Sequence, residues 1–283
     1  MFSKRFFLLS ILFLLIGCRS SNSSLEQLRI GVVSFGESDR SIERYSELKE
    51  YLGSELKSLV ALEPTYNEIK AVEQIKRRGW DIVFAPPGIA AIAISQSQYV
   101  PIFPLEGGLK SRSLIVVLKD SSITDINQLA GKTIALGQLG SATGYYLPIY
   151  NLYGLTLAEV RFAATPKTVL QWVAEAEVVA GAMSQAEYNQ YRSSFPNARF
   201  RILFTDSHEV PSGSVLVSPN LNPAQQEKVR EALTKVSPAM ASSAGYITNA
   251  PVPDYQYLIQ VVDRVTPIAE RIKQKPAPLY EQK

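Results

Sequence analysis

Residues Lys132–Pro148 read KTIALGQLGSATGYYLP. A β-rich run, Lys132–Gly137, ends in a Gly-x-x-Gly-Ser-x-Thr-Gly turn, and two tyrosines and a proline follow at once. Two readings of the turn compete: an ordinary strand-to-helix corner, or a cradle for something negatively charged. Gly137, Gly140 and Gly144 let the backbone turn tightly and come close to a ligand. A helix starting near Ala142 has free N–H groups in its first turn, and these, with the positive end of the helix dipole, make an anion site. Ser141 and Thr143 add hydroxyl donors beside them. In the corner reading Ser141 is simply the N-cap. Pro148 is expected near the first helical turn, where a missing N–H costs little. The turn is not a nucleotide P-loop, because the Gly-Lys-Thr at 131–133 has Ile126 where that motif needs glycine. It is no dinucleotide fingerprint either.

Outward from this stretch, strand and helix alternate. Before it, LRIGVVSF (28–35), VALEPTY (60–66), WDIVFAPP (80–87), YVPIFPL (99–105) and SLIVVLKD (113–120) read as strands. Between them lies an amphipathic helix with Ile42, Tyr45, Leu48, Leu52 and Leu56 at steps of three and four. Helices are also expected over 68–79 and 88–98, and a short one over 122–131 capped by Thr124 or Asp125. After it come strands at 160–165, 178–184, 199–207 and 212–218, with helices at 166–177, 186–195, 222–236 and from about Asp254. Asn222, Pro223 and Gln225 give the helix at 222 a cap, a first-position proline and a capping box. The apolar strands suit sheets covered on both faces, which is α/β architecture with mostly parallel strands. Two βαβ clusters, 28–105 and 132–205, predict two lobes. The C-terminal stretch is expected to return to the first, giving 28–115 plus 210–283 as one lobe and 116–209 as the other. Ligands of open α/β sheets sit at the carboxyl ends of strands, so the site is expected in the cleft between the lobes.

The first residues carry a processing signal. Lys4 and Arg5 precede an apolar run, Phe6–Ile16, too short for a span of about 20 residues. The LIGC that follows (15–18) resembles a bacterial lipobox, which makes 1–17 a signal peptide and Cys18 the lipid-bearing N-terminus. The serine-rich stretch to Gln27 reads as a tether. Cys18 is the single cysteine and His208 the single histidine. That leaves no disulfide and no Cys/His zinc set, and no Ser-His-Asp or Cys-His catalytic set. Lysine and arginine number 29 against 26 acids, with no basic patch for nucleic acid.

The segments WDIVFAPPGIA, SRSLIVVLKDSSITDINQLAGKTIALG and GSATGYYLP resemble the periplasmic substrate-binding components of phosphonate, phosphite and phosphate ABC transporters. The likeness runs from about Ile30 to Glu231. It implies a hinged, two-lobed type II binding-protein fold and a small phosphorus oxyanion held at a helix N-terminus. It also implies an ABC permease and ATPase as partners, an extracytoplasmic location, a monomer, no cofactor and no enzymatic activity. The family's Ser-Thr-Ser-Gly cradle is Ser141, Ala142, Thr143 and Gly144 here, so one hydroxyl is lost. Tyr66 falls at a ligand-facing tyrosine, Ser111 where an aromatic is common, and Arg112 beside it as an anion clamp or a surface residue. Tyr145 follows the cradle as a ligand neighbour or as helix packing.

The acids that hold an ammonium in aminophosphonate binders are missing at Ser212-Gly213, with Glu187 only a misaligned stand-in. A buried ammonium without a carboxylate is costly, so the resemblance points to phosphate, phosphite or a simple phosphonate, or to another small anion. The family's histidine is replaced at Thr165 and Pro166. Trp80 and Trp172 read as core or partly buried anchors. A ligand-sensing module for a membrane signalling partner stays open as the alternative to transport.

Overall fold

The computed structural model describes residues 27–33, 42–107 and 111–281. The expected signal peptide, Cys18 and most of the tether lie outside these residues. In chain order the elements are β1 (Gln27–Val33), α1 (Ser46–Leu56), β2 (Leu59–Thr65), α2 (Glu68–Lys76), β3 (Ile82–Ala85), α3 (Pro87–Ser97) and β4 (Val100–Pro104). The second lobe begins with β5 (Ser113–Leu118) and β6 (Thr133–Leu136). A π-helical turn (Ala142–Tyr146) then runs into α4 (Leu147–Asn151). Next come β7 (Thr156–Leu157), β8 (Glu159–Phe162), α5 (Pro166–Ala174), β9 (Ala180–Ser184), α6 (Gln185–Tyr191) and β10 (Phe200–Thr205). The chain ends with β11 (Ser214–Val217), α7 (Pro223–Lys235), α8 (Pro238–Ala244), α9 (Gln256–Val265) and β12 (Ala277–Pro278).

Two five-stranded sheets result, ordered β2-β1-β3-β11-β4 and β10-β5-β9-β6-β8. In each, four strands point one way and one runs against them. The reversed strands are β11, antiparallel to β3 and β4, and β5, antiparallel to β9 and β10. These are the strands that receive the chain from the other lobe. A chain that crosses at the carboxyl edges must enter its new sheet from that edge, and so runs backwards. The crossing segments bond to each other: Val210 N–H donates to Ser111 O at 2.8 Å and Asp206 N–H to Ser113 O at 2.9 Å. The buried Asp206 carboxylate also accepts from Asn151 Nδ2 at 2.6 Å, which ties the second crossing to α4.

Strand alternation builds the cores. Leu28, Ile30, Val32, Ile82 and Phe84 face one way and join α1 and α7. Leu114, Val116 and Ala135 face Val169, Leu170 and Val173 of α5. The opposite faces, with Val83 and Ala85 from one sheet and Ile115, Val117, Ile134 and Leu136 from the other, join a single core. That core includes α3, α4 and the stripe Leu258, Val261, Val262 and Val265 of α9, and so runs through both lobes. Trp80 is fully buried in it, with Nε1 donating to Glu63 at 2.7 Å.

Three expectations change. The helix over 122–131 is one 3-10 turn, Ile126–Leu129, capped by Asp125 rather than Thr124. Asp125 and Gln128 close a capping box around it, and four residues cannot sustain an α-helix. The return of the whole C-terminal stretch to the first lobe fails at its last strand, because β12 pairs with β7 beside the second sheet. Helix α8, which carries little periodic signal, was not expected.

Candidate functional site

The carboxyl ends of β2 and β3 face those of β6 and β9 across the lobe boundary. Tyr66, Asn67 and Glu68 follow β2. Pro86 and Gly88 follow β3. Gln138–Gly144 follow β6, and Ser184–Glu187 open α6. The expected cradle thus stands where two carboxyl edges meet.

Its local structure follows from its residues. Ser141 Oγ accepts from Gly144 N–H at 3.0 Å, so the N-cap reading is correct as geometry. Its hydroxyl proton and the first-turn N–H groups of Ala142 and Thr143 lie outside the segment's own ladder. Tyr145 N–H and Tyr146 N–H both reach Ser141 O, at 3.2 and 3.1 Å, and Leu147 N–H reaches Ala142 O. This is a π turn, a device that recurs at functional sites. Pro148 comes after the turn, as the second residue of α4, and not in the first turn behind the cap. It has no N–H for the Thr143 or Gly144 carbonyls. Ser113 Oγ takes the first at 2.6 Å and Gly137 N–H the second at 2.9 Å. The proline therefore frees two carbonyls that fasten the turn to β5 and β6.

The opposite lobe touches this turn directly. A Cβ on Gly88 would collide with the Gly140 carbonyl oxygen and stand 2.7 Å from Ala142 N. Gly140 has φ +118, a value suited to glycine. A Cβ there would meet Cβ of Glu68 at 3.1 Å and Cδ1 of Ile89 at 2.8 Å. Glu68, the first residue of α2, turns its carboxyl into the junction and accepts from Gln138 N–H. Burial, and then the charge of Glu187, push that carboxyl up to about 8, while the Gln138 N–H works the other way.

Ser141, Ala142, Thr143 and Gly144 thus lie together at the cleft. Ser111 lies on the first crossing segment, and its buried Oγ has no partner among the described residues. A buried hydroxyl of this kind calls for one. Arg112 pairs with Glu209 at 3.5 Å, with both side chains about two-fifths exposed, so its guanidinium engages the other crossing segment. Tyr66 is 46% exposed at the end of β2. Tyr145 is in the core instead: 2% exposed, its ring against Tyr146 and Phe162, with burial and then Glu270 raising its phenol. Tyr146 is the one with Glu68 among the charges that act on it. Glu187 holds the α6 capping box, accepting from Ser184 N–H at 2.7 Å, which accounts for its carboxylate without a ligand. Thr165, at the expected histidine position, caps α5.

In the sequence Glu68 is only the start of the helix expected over 68–79. A polar N-terminal residue directly after a strand that ends at the cleft is the signal that could have found it. A cavity of about 620 Å³ along the crossing segments, lined by Pro104, Glu106, Glu209, Pro211, Ile247 and Asp254, shares no residue with the cradle. Among the described residues no group of His, Cys, Asp and Glu is placed to hold a metal. None of their helices is long and apolar enough to cross a membrane.

Residues 30–257 match the family described as ABC transporter, phosphonate, periplasmic substrate-binding protein. Solved structures share the architecture. XAC2383 of Xanthomonas citri, solved with ATP, aligns with TM-score 0.69 at 22% identity over 86% of this chain and 98% of that one. PhnD1 of Prochlorococcus marinus, solved with methylphosphonate, gives 0.62 at 16% identity over 85% and 98%. PA3383 of Pseudomonas aeruginosa, a binding component of an ABC phosphonate transporter, gives 0.61 at 12% identity over 88% of each.

Proposed function

The chain belongs to the phosphonate family of periplasmic ABC-transporter binding proteins, and from that membership we propose that it captures a small phosphorus oxyanion between its lobes. Phosphate, phosphite and simple phosphonates are the candidates. Proteins of this family bind solutes and deliver them to a permease and its ATPase; they are not enzymes. The observation that carries the reading is the π turn behind Ser141. It presents N–H and hydroxyl donors at the edge of β6, opposite the starts of α2 and α3. The ligand is held by Ser141 and Thr143 hydroxyls and by the Ala142 and Thr143 N–H groups, with the lone Ser111 hydroxyl as a further donor. Tyr66 stands at the mouth. Arg112 contributes long-range attraction at most, since Glu209 already neutralises it.

Oxyanions suit such a site because hydrogen bonds to charged acceptors are the strong ones. A micromolar ligand needs a surplus of about 8 kcal/mol, within reach of several donors in a closed cleft. Ser212-Gly213 and the committed Glu187 give no seat for an ammonium, so an aminophosphonate is the poorer fit.

We also propose that Cys18 carries a lipid that tethers the chain to the membrane; a Cys18→Ser chain is then released, and one that stays membrane-bound rejects the anchor. The test of the function itself is a thermal-shift screen with phosphate, phosphite, methylphosphonate, aminoethylphosphonate, sulfate and ATP. A ligand that binds only the folded chain stabilises it by about 2.7 kcal/mol at a hundredfold excess over its dissociation constant. A shift with a phosphorus oxyanion and none with sulfate is expected. No shift with any of them defeats the reading.

A further inference from the structure

We propose that the hollow beside the crossing segments is a second binding site, which takes a small organic cation: a primary ammonium on an apolar body. It shares no residue with the cradle, and does not depend on what the cradle holds. Its volume of about 620 Å³ falls among small-molecule sites, which run from roughly 300 to 1,000 Å³. One wall is the end of β4 and the start of the first crossing segment, with Pro104 and Glu106. A second is the other crossing segment, over 209–212. The loop between α8 and α9 closes the hollow with Ile247, Pro251, Pro253 and Asp254.

The lining is poor in donors and rich in acceptors. Pro104, Pro211, Pro251 and Pro253 have no N–H at all. The N–H groups of Leu105, Glu106, Val210 and Ile247 are spent on the carbonyls of Gly213, Gly245, Ser111 and Pro104, at 2.8 to 3.0 Å. Eight of the thirteen lining residues thus have no N–H to give. Three carboxylates stand among them. Among the described residues, Glu106 has a long contact of 3.5 Å from Ser242 Oγ, and Glu209 one of 3.5 Å from Arg112. Asp254 gives one oxygen to the Gln256 N–H at 2.8 Å. No described Lys, Arg or His lines the hollow. An anion would find few donors there and three like charges. An ammonium is the complement, with three donors, no acceptor and the opposite charge. Val210, Ile247 and the proline rings supply the rest, because they can cover a hydrocarbon body. Ile247 is 43% exposed, which is apolar surface that such a body would take out of water.

Calorimetry on the purified full chain tests this with 2-phenylethylamine, 2-phenylethanol and 3-phenylpropionate, which share one arm and differ in the head. Low ionic strength is needed, since salt screens exposed carboxylates. The amine is expected to bind at least about tenfold more tightly than the alcohol, a difference of about 1.4 kcal/mol, and the carboxylate not measurably. Glu106→Gln with Asp254→Asn keeps acceptors for Ser242 and Gln256 and removes two charges. It should weaken the amine about tenfold or more and leave the alcohol within about threefold. Ala250→Trp fills the hollow without altering charge, and should weaken amine and alcohol alike. Melting curves show whether each variant is folded. A native chain that does not bind the amine, or binds the alcohol or the carboxylate as tightly, overturns the proposal whatever the variants do. Amine affinity unchanged in either folded variant overturns it as well, because the amine then sits elsewhere. None of these outcomes bears on the oxyanion reading, which the thermal-shift screen decides by itself.

Discussion

Gly88 of α3 and Gly140 of the cradle loop touch through backbone alone, and no side chain fits between them. Closure of the lobes therefore depends on a missing methyl group. Gly88→Ala should wedge the cleft. Gly88 lies in the first turn of α3, where alanine is favoured over glycine by about 1 kcal/mol. Thermal stability is expected to hold or rise while oxyanion affinity drops about tenfold or more, a loss of roughly 1.4 kcal/mol. Small-angle scattering should show no ligand-induced compaction. Native affinity in Gly88→Ala would mean that the bound form is more open than this one.

The double change Ser141→Ala plus Thr143→Ala removes two hydroxyls from the cradle. Hydrogen bonds to charged groups contribute roughly 1.5–3 kcal/mol each, so affinity should fall about tenfold or more. Ser141 also caps the π turn, and losing a cap costs about 1 kcal/mol of stability. A lower melting point with unchanged affinity would leave Ser141 a cap and nothing else.

Glu68 links stability to pH. Its carboxyl sits near 8 in the folded chain against about 4.3 in an unfolded one. Below the lower value both states hold the proton, and the contribution is fully present. As pH rises through the upper value it is lost, because the unfolded chain ionises first. Melting points measured from pH 4 to 9 should therefore fall more steeply for the native chain than for Glu68→Gln. Parallel curves would show that Glu68 ionises freely in the folded chain.

Ser113 is buried, and its hydroxyl is the partner of the Thr143 carbonyl. Ser113→Ala leaves that carbonyl without its donor in the interior, which costs about 1–3 kcal/mol. Denaturant unfolding should register the loss. Binding should weaken too, since the π turn loses one of its two fastenings. An unaltered unfolding midpoint would mean that the turn finds another donor.

Much of this was legible where the chemistry is local. Asn222, Pro223 and Gln225 predicted a cap and capping box, and α7 has both. The strand cores followed from alternation and apolar runs. What escaped depends on residues far apart in the chain. Glu68 and Gln138 are 70 positions apart, and only the meeting of the two lobes brings the first against the cradle loop. The β7–β12 pair joins residues about 120 apart through two-residue strands, too short for any periodic signal. Of the two readings of Tyr145, helix packing is the one its burial fits. A π turn holds one residue more than an α turn, and both rings that follow its glycine, Tyr145 and Tyr146, are 2% exposed in one core. The proline was the clue, because a proline soon after a cap leaves carbonyls that something else must bind.

Helix α9 bears on how the molecule can move. Its apolar stripe packs on α3 of one lobe and α4 of the other. Two crossing segments alone would form a flexible strap, free to twist as well as bend. Helix α9 is a third link between the lobes, made by side-chain packing where the other two are made by the chain itself. Any opening of the lobes must then either carry α9 along on both partners or bare part of its apolar stripe to water.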